Sequence, residues 1–178
     1  TVKSPAGGGK SRLLSEFAAR ASAAGVTTIT SSCWDGPYRA PLLPWVDIIR
    51  ALGTSTAPSV GVDTLDEGSS PEDRFVLFDA ITSALVEAAQ QRPLLVLIDD
   101  VHWSDTASLE LIRFVGKTSS NHPVLLGVAY RPTDLSAEQF GQVTAIEHGA
   151  AMLDLHPLDR DETSLLVGGD LDEHELTW

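Results

Sequence analysis

Residues 94–100, Leu-Leu-Val-Leu-Ile-Asp-Asp, most narrow what this chain can fold into. Five large apolar residues in a row leave no polar face, so the segment reads as a strand covered on both sides, as central strands of parallel sheets are. The paired carboxylates of Asp99 and Asp100 then fall at its C-terminal end, the edge where open α/β sheets carry their chemistry.

Some ninety residues upstream stands a matching half, Ser4-Pro5-Ala6-Gly7-Gly8-Gly9-Lys10-Ser11. It reads G-x-x-x-x-G-K-[ST] with Ser4 where the opening glycine belongs. Gly7, Gly8 and Gly9 supply residues that tolerate positive φ, which a loop needs to turn successive N–H groups inward around an anion. Lys10 is placed to reach phosphate oxygens and the Ser11 hydroxyl to meet Mg²⁺. The helix that follows, with Leu13, Leu14, Phe17, Ala18, Ala21 and Ala24 at helical spacing before Gly25, is expected to be buried and to aim its N-terminus at the same anion. Paired with this loop, Asp99 is expected to hold Mg²⁺ through its water shell. Asp100 is expected to orient or deprotonate an attacking water.

Between and beyond these motifs helices and strands alternate. Residues 26–33 are rich in β-branched side chains and read as a strand. Pro37, Pro41 and Pro44 mark a loop, and Pro44 opens a short helix through Trp45, Ile48, Ile49 and Leu52. A mobile loop is expected over residues 53–71. Residues 72–91 read as a helix burying Phe75, Phe78, Ile81, Leu85, Val86 and Ala89. Ser104 or Asp105 caps a further helix bearing Leu109, Ile112, Phe114 and Val115. Residues 123–130 and 150–155 read as strands. Asp159 and Glu162 have capping-box spacing before a last helix through Leu165 and Leu166. The alternation predicts a three-layer α/β fold with a parallel sheet, whose right-handed crossovers bring Gly9, Asp99 and Arg131 to one edge.

Composition limits the function. The 178 residues suffice for one substantial core. With 25 acidic and 12 basic residues the formal charge is −13, which disfavours direct contact with nucleic acid or an anionic membrane. Cys33 is the only cysteine, so no internal disulfide forms and a reducing cytoplasm is the natural setting. The five histidines lack zinc-ligand spacing, and neither a signal peptide nor an eighteen-residue apolar run occurs. Residues 1–3 are short for a strand feeding the glycine loop, so the first strand is expected to be truncated. The expectation for residues 1–178 is therefore a single domain, a fragment of something longer.

These residues resemble the signal-transduction ATPases with numerous domains, within the AAA-like P-loop class, and above all the ATPase domain of large bacterial LuxR-type regulators. The resemblance is carried by Ala6-Gly7-Gly8-Gly9-Lys10-Ser11-Arg12-Leu13, by Cys33-Trp34 with Pro44-Trp45, and most specifically by Leu97-Ile98-Asp99-Asp100-Val101-His102-Trp103-Ser104-Asp105. It implies a P-loop NTPase sheet of order 5-1-4-3-2, nucleotide contact along residues 6–12 including Arg12, and a role for Arg131 in sensing the terminal phosphate. It also implies ATP/ADP and Mg²⁺ as ligands, the other domains of the same polypeptide as partners, and room for self-association. The alternative for Arg131 is a surface arginine at a strand end. His102 and Trp103 read as packing and stay outside the catalytic set, and Cys33 reads as a small buried apolar residue. The function implied is a slow regulatory ATPase acting as a conformational switch. The alternatives are a degenerate nucleotide-binding module without turnover, favoured by Ser4, or the ATPase domain of an adenylate cyclase-type protein.

Overall fold

The computed structural model describes residues 1–36, 41–53 and 70–159, together with 162, 163 and 165. The loop expected at 53–71 falls mostly outside these residues, as do Pro37 and Leu166.

Among the described residues five parallel strands form the sheet: β1 (Val2–Lys3), β2 (Thr27–Ser32), β3 (Leu94–Asp99), β4 (Val124–Tyr130) and β5 (Leu153–Asp154). Their order is β2-β3-β4-β1-β5, the expected 5-1-4-3-2 read from the other side. β1 is short, pairing Val2 with Ala129 and Leu153. The continuous apolar run of β3 occupies an interior position between β2 and β4, and Leu94 through Ile98 are all buried. β5 is shorter than the strand expected over 150–155, and both of its residues are exposed.

Alternate residues of β3 serve two cores. Leu94, Val96 and Ile98 face a large cluster built with α2 (Leu43–Leu52), α3 (Pro71–Gln91) and α4 (Thr106–Thr118). Leu95 and Leu97 face a smaller one with Val2, Ala129 and Leu14 of α1 (Lys10–Ala23). That smaller core corrects the expectation of a buried first helix. Among the α1 residues only Leu14 and Lys10 are buried, and Phe17 stays 43% exposed because a single helix resting on a thin apolar patch needs only a narrow stripe.

Trp45 of α2 is completely buried and its indole N–H donates to the Ser108 carbonyl (3.3 Å), which ties α2 to α4. Of the residues expected to be buried on α3, Phe75 is exposed but meets the edge of Phe114 at 5.8 Å between ring centres. Leu77 takes the buried position instead. Asp105, not Ser104, caps α4, accepting from Ser108 N at 2.9 Å. Asp159 and Glu162 form the reciprocal pair that their spacing suggests, at 2.8 and 3.0 Å.

One element is missing from the sequence reading: α5 (Ala137–Glu147), which packs beside α4 between β4 and β5. Its start carries a capping box in which Ser136 and Gln139 bond each other's backbone N–H. Among the described residues no helix is long and apolar enough to cross a membrane.

Candidate functional site

The loop between β1 and α1 closes with Gly8 N donating to Pro5 O at 3.3 Å. Gly7 (φ 76°) and Gly9 (φ 86°) adopt the left-handed conformation that side chains resist. Gly8, expected to offer the same freedom, does not use it. Its requirement is spatial: a Cβ there would lie 1.6 Å from Ser4 Oγ and 2.9 Å from Ser4 Cβ. Ser4, buried to 1% exposure, thus fills the room that a side chain on Gly8 would need.

Gly9 is the N-cap of α1 and contributes no side-chain hydrogen bond, and no acidic residue occupies the first turn. The leading N–H groups and positive dipole end of this helix are therefore left for an anion. Lys10 is buried, with Nζ donating to the carbonyls of Ser4 (3.0 Å) and Pro5 (2.9 Å). Burial lowers its pKa, Arg131 acts in the same direction, and Asp100, Asp99 and Asp134 oppose them. Arg12 is exposed and paired with Glu16 at 3.3 Å, and Ala6 is exposed in the turn.

Ser11 Oγ donates to Asp99 Oδ2 at 2.5 Å, joining the start of α1 to the end of β3. The other oxygen of Asp99 accepts from Asp100 N at 2.8 Å. Asp100 itself has φ 53° and ψ 40°, an unusual conformation for a residue with a side chain and one that costs on the order of 1 kcal/mol or more. The chain then makes a short turn, Val101–Trp103, in which His102 is buried.

Arg131 follows β4 directly, so the strand order sets it between the glycine loop after β1 and the carboxylates after β3. Its guanidinium lies 3.5 Å from Asp134, and its buried Nε has no hydrogen-bond partner among the described residues. Arg131 N donates to His102 Nδ1 at 3.4 Å. Lys10, Ser11, Asp99, Asp100 and Arg131 are thus brought to one edge. His102 and Asp134 join them, although the sequence reading assigned the first to packing and passed over the second. Gln139 was passed over as well. From the start of α5 its amide donates to the carbonyls of His102 (3.0 Å) and Ser104 (2.9 Å), clamping the turn that carries His102.

Cys33 is buried near this edge and its thiol is pushed up to about 12, chiefly by burial, which leaves it unreactive as expected of a packing residue. A separate groove of about 1160 Å³, lined by Phe78, Ile112, Phe114, Leu126 and Ile146, also includes Thr1 and Gly149. It shares no residue with the glycine loop.

The fit of a nucleotide and its metal can be judged on these groups. A helix start with no capping side chain, a buried ammonium that bonds carbonyls among the described residues, a hydroxyl bonded to a strand-end carboxylate and a guanidinium Nε without a partner among those residues are the donor set a polyphosphate with Mg²⁺ requires.

A glycine loop and helix N-terminus set against strand-end carboxylates on a 5-1-4-3-2 parallel sheet define the P-loop nucleoside-triphosphatase class. Within it, this chain belongs to the AAA ATPase domain family, whose profile its residues 2–126 match. The chain is thus a nucleotide-binding ATPase domain. It is similar to protein R02095 of Rhizobium meliloti (strain 1021), at 27% identity over a 207-residue alignment that takes in 98% of this chain and 20% of that protein. Its fold is similar to that of Cdc6p from Pyrobaculum aerophilum, with a TM-score of 0.59 and 13% identity over 93% of this chain and 41% of that one. A looser likeness, TM-score 0.44 and 14% identity, extends to the Aeropyrum pernix ORC2 protein in its ADPNP-ADP complexes, over 94% of this chain and 44% of that one. The chain accordingly spans a fifth to less than half of the length of these relatives.

Proposed function

We propose that this domain binds Mg-ATP and hydrolyses it slowly, its nucleotide state setting the conformation of a larger cytoplasmic signalling protein, a LuxR-type transcriptional regulator. The observation that carries the nucleotide assignment is the Ser11–Asp99 hydrogen bond with Lys10 and Arg131 at the same edge. Ser11 and Asp99 would hold Mg²⁺, which when bound neutralises phosphate charge. Lys10 exchanges its two loop carbonyls for phosphate oxygens, and the N–H groups of residues 6–12 line the cradle. Asp100 acts on water, and Arg131 leaves Asp134 to read the terminal phosphate. A switch follows because the terminal phosphate engages Lys10 and Arg131 in one state and is absent in the other. The signal-transduction assignment rests on the resemblance of residues 97–105, and the length of R02095 supports a larger polypeptide. The acidic balance gives this segment no direct role in nucleic-acid contact.

Calorimetric titration with Mg-ATP tests the assignment. Wild type is expected to bind, and Lys10→Ala to lose at least about tenfold in affinity, roughly 1.4 kcal/mol. Equal affinities would overturn it. The rival reading, a module that holds nucleotide without turnover, is favoured by Ser4, whose hydroxyl stands against Gly8 inside the loop. Phosphate release separates the two, since Asp100→Asn is expected to lower kcat about 10²- to 10⁴-fold if Asp100 serves as general base.

A further inference from the structure

His102 lies in this site with its side chain wholly removed from solvent. A backbone N–H directed at Nδ1, that of Arg131, requires a lone pair there, so the imidazole is neutral and carries its proton on Nε2. That Nε2 has no hydrogen-bond partner among the described residues. It stands 3.8 Å from Asp100 Oδ1 on one side and 3.8 Å from Asp134 Oδ2 on the other, beyond hydrogen-bonding range but within reach of a carboxylate rotation. Arg131 N holds the ring at Nδ1, and the Gln139 amide holds the backbone of His102 through its carbonyl. Burial opposes a charged imidazolium here, Asp100 and Asp134 favour one, and Arg131 and Lys10 disfavour it, leaving its pKa lowered. A buried donor aimed between two carboxylates, one of them at the water-activating position, is a costly arrangement for a residue that only fills space.

We infer that His102 is a positioning residue for Asp100: its Nε2–H donates to the Asp100 carboxylate when nucleotide is bound and fixes which oxygen faces the attacking water. The inference rests on the ATPase function proposed above. Asp134, which holds Arg131 in the state described here, forms the far wall of the same slot. As Arg131 turns to the terminal phosphate and His102 secures Asp100, one ring couples phosphate sensing to water activation.

Two substitutions separate hydrogen bonding from packing. An asparagine amide reaches the place of Nδ1 and leaves that of Nε2 empty, whereas a glutamine amide reaches the place of Nε2. H102N is expected to lower kcat about tenfold or more with KM for ATP within about twofold of wild type, the split of a group that acts in the transition state. H102Q is expected to recover most of that loss. ¹⁵N NMR of the wild-type imidazole gives a readout that needs no variant to fold, and is expected to show Nε2 protonated and Nδ1 bare. Equal impairment of the two variants, an effect on KM alone, unchanged kcat in H102N, or a proton on Nδ1 would overturn the positioning role while wild type remains an active ATPase. Wild type that binds ATP without releasing phosphate would overturn the turnover and the positioning role together.

Discussion

Ser4 and Gly8 form a pair that the linear motif hides. The motif places a glycine where Ser4 stands, and the structure shows the exchange accommodated by the bare α-carbon of Gly8, since a Cβ on Gly8 would collide with the Ser4 hydroxyl. Gly8→Ala is therefore expected to weaken Mg-ATP binding or loop stability by about 1–3 kcal/mol, the range for overpacking a tight site. Adding Ser4→Gly is expected to restore most of it, a coupling that a double-mutant cycle by calorimetry would register. Full additivity would mean that the loop relaxes around the clash. At this scale Lys10, Ser11 and Asp99 were legible because glycine loops and apolar strands ending in carboxylates are local patterns. His102 and Asp134 were not, because their place in the site depends on β4 bringing Arg131 alongside a turn thirty residues earlier in the chain.

Among the elements, α5 was missed although Ser136 and Gln139 carry capping-box spacing ahead of Phe140, Val143 and Ile146. Its apolar stripe is thin, with Val143 its one buried residue and Phe140 61% exposed, so periodicity gave little signal. Yet α5 supports the site through Gln139, whose amide satisfies two carbonyls of the 101–104 turn. Gln139→Ala is expected to cost about 1–3 kcal/mol by leaving these partly buried acceptors unpaired. Urea unfolding would show it as a lower midpoint at unchanged slope. Asp105 plays a comparable part for α4. Besides capping that helix it accepts from Leu42 N at 3.2 Å, so its carboxylate binds the entry of α2 to the start of α4. Asp105→Ala is expected to lose more than the roughly 1 kcal/mol of an ordinary cap. A loss equal to that of Asp159→Ala, which caps the last helical turn without such a second partner among the described residues, would show the Leu42 bond to contribute nothing.

For the whole molecule, fold class and strand order were legible because a parallel sheet with right-handed crossovers leaves few arrangements. The unequal covering of its two faces was not, because it depends on how far each helix reaches across the sheet. The formal charge of −13 sets a further expectation. Fluorescence anisotropy of labelled duplex DNA at 0.15 M salt is expected not to change on adding this domain, and a saturable rise that fades with salt would reveal a basic surface concealed by the average.

The position of β4 also governs when the site can come into being. β1 pairs with β4 and β5 and not with β3, so the glycine loop and the carboxylates of Asp99 and Asp100 have no continuous sheet between them until residues 124–130 are in place. On the ribosome, about a hundred residues separate emergence of the loop from emergence of the strand that joins it to its counterpart, and long-range pairing of this kind is slow. A nascent chain lacking β4 would hold both motifs and still present them apart. Nucleotide is therefore expected to stabilise the finished domain and to give little help to its early intermediates.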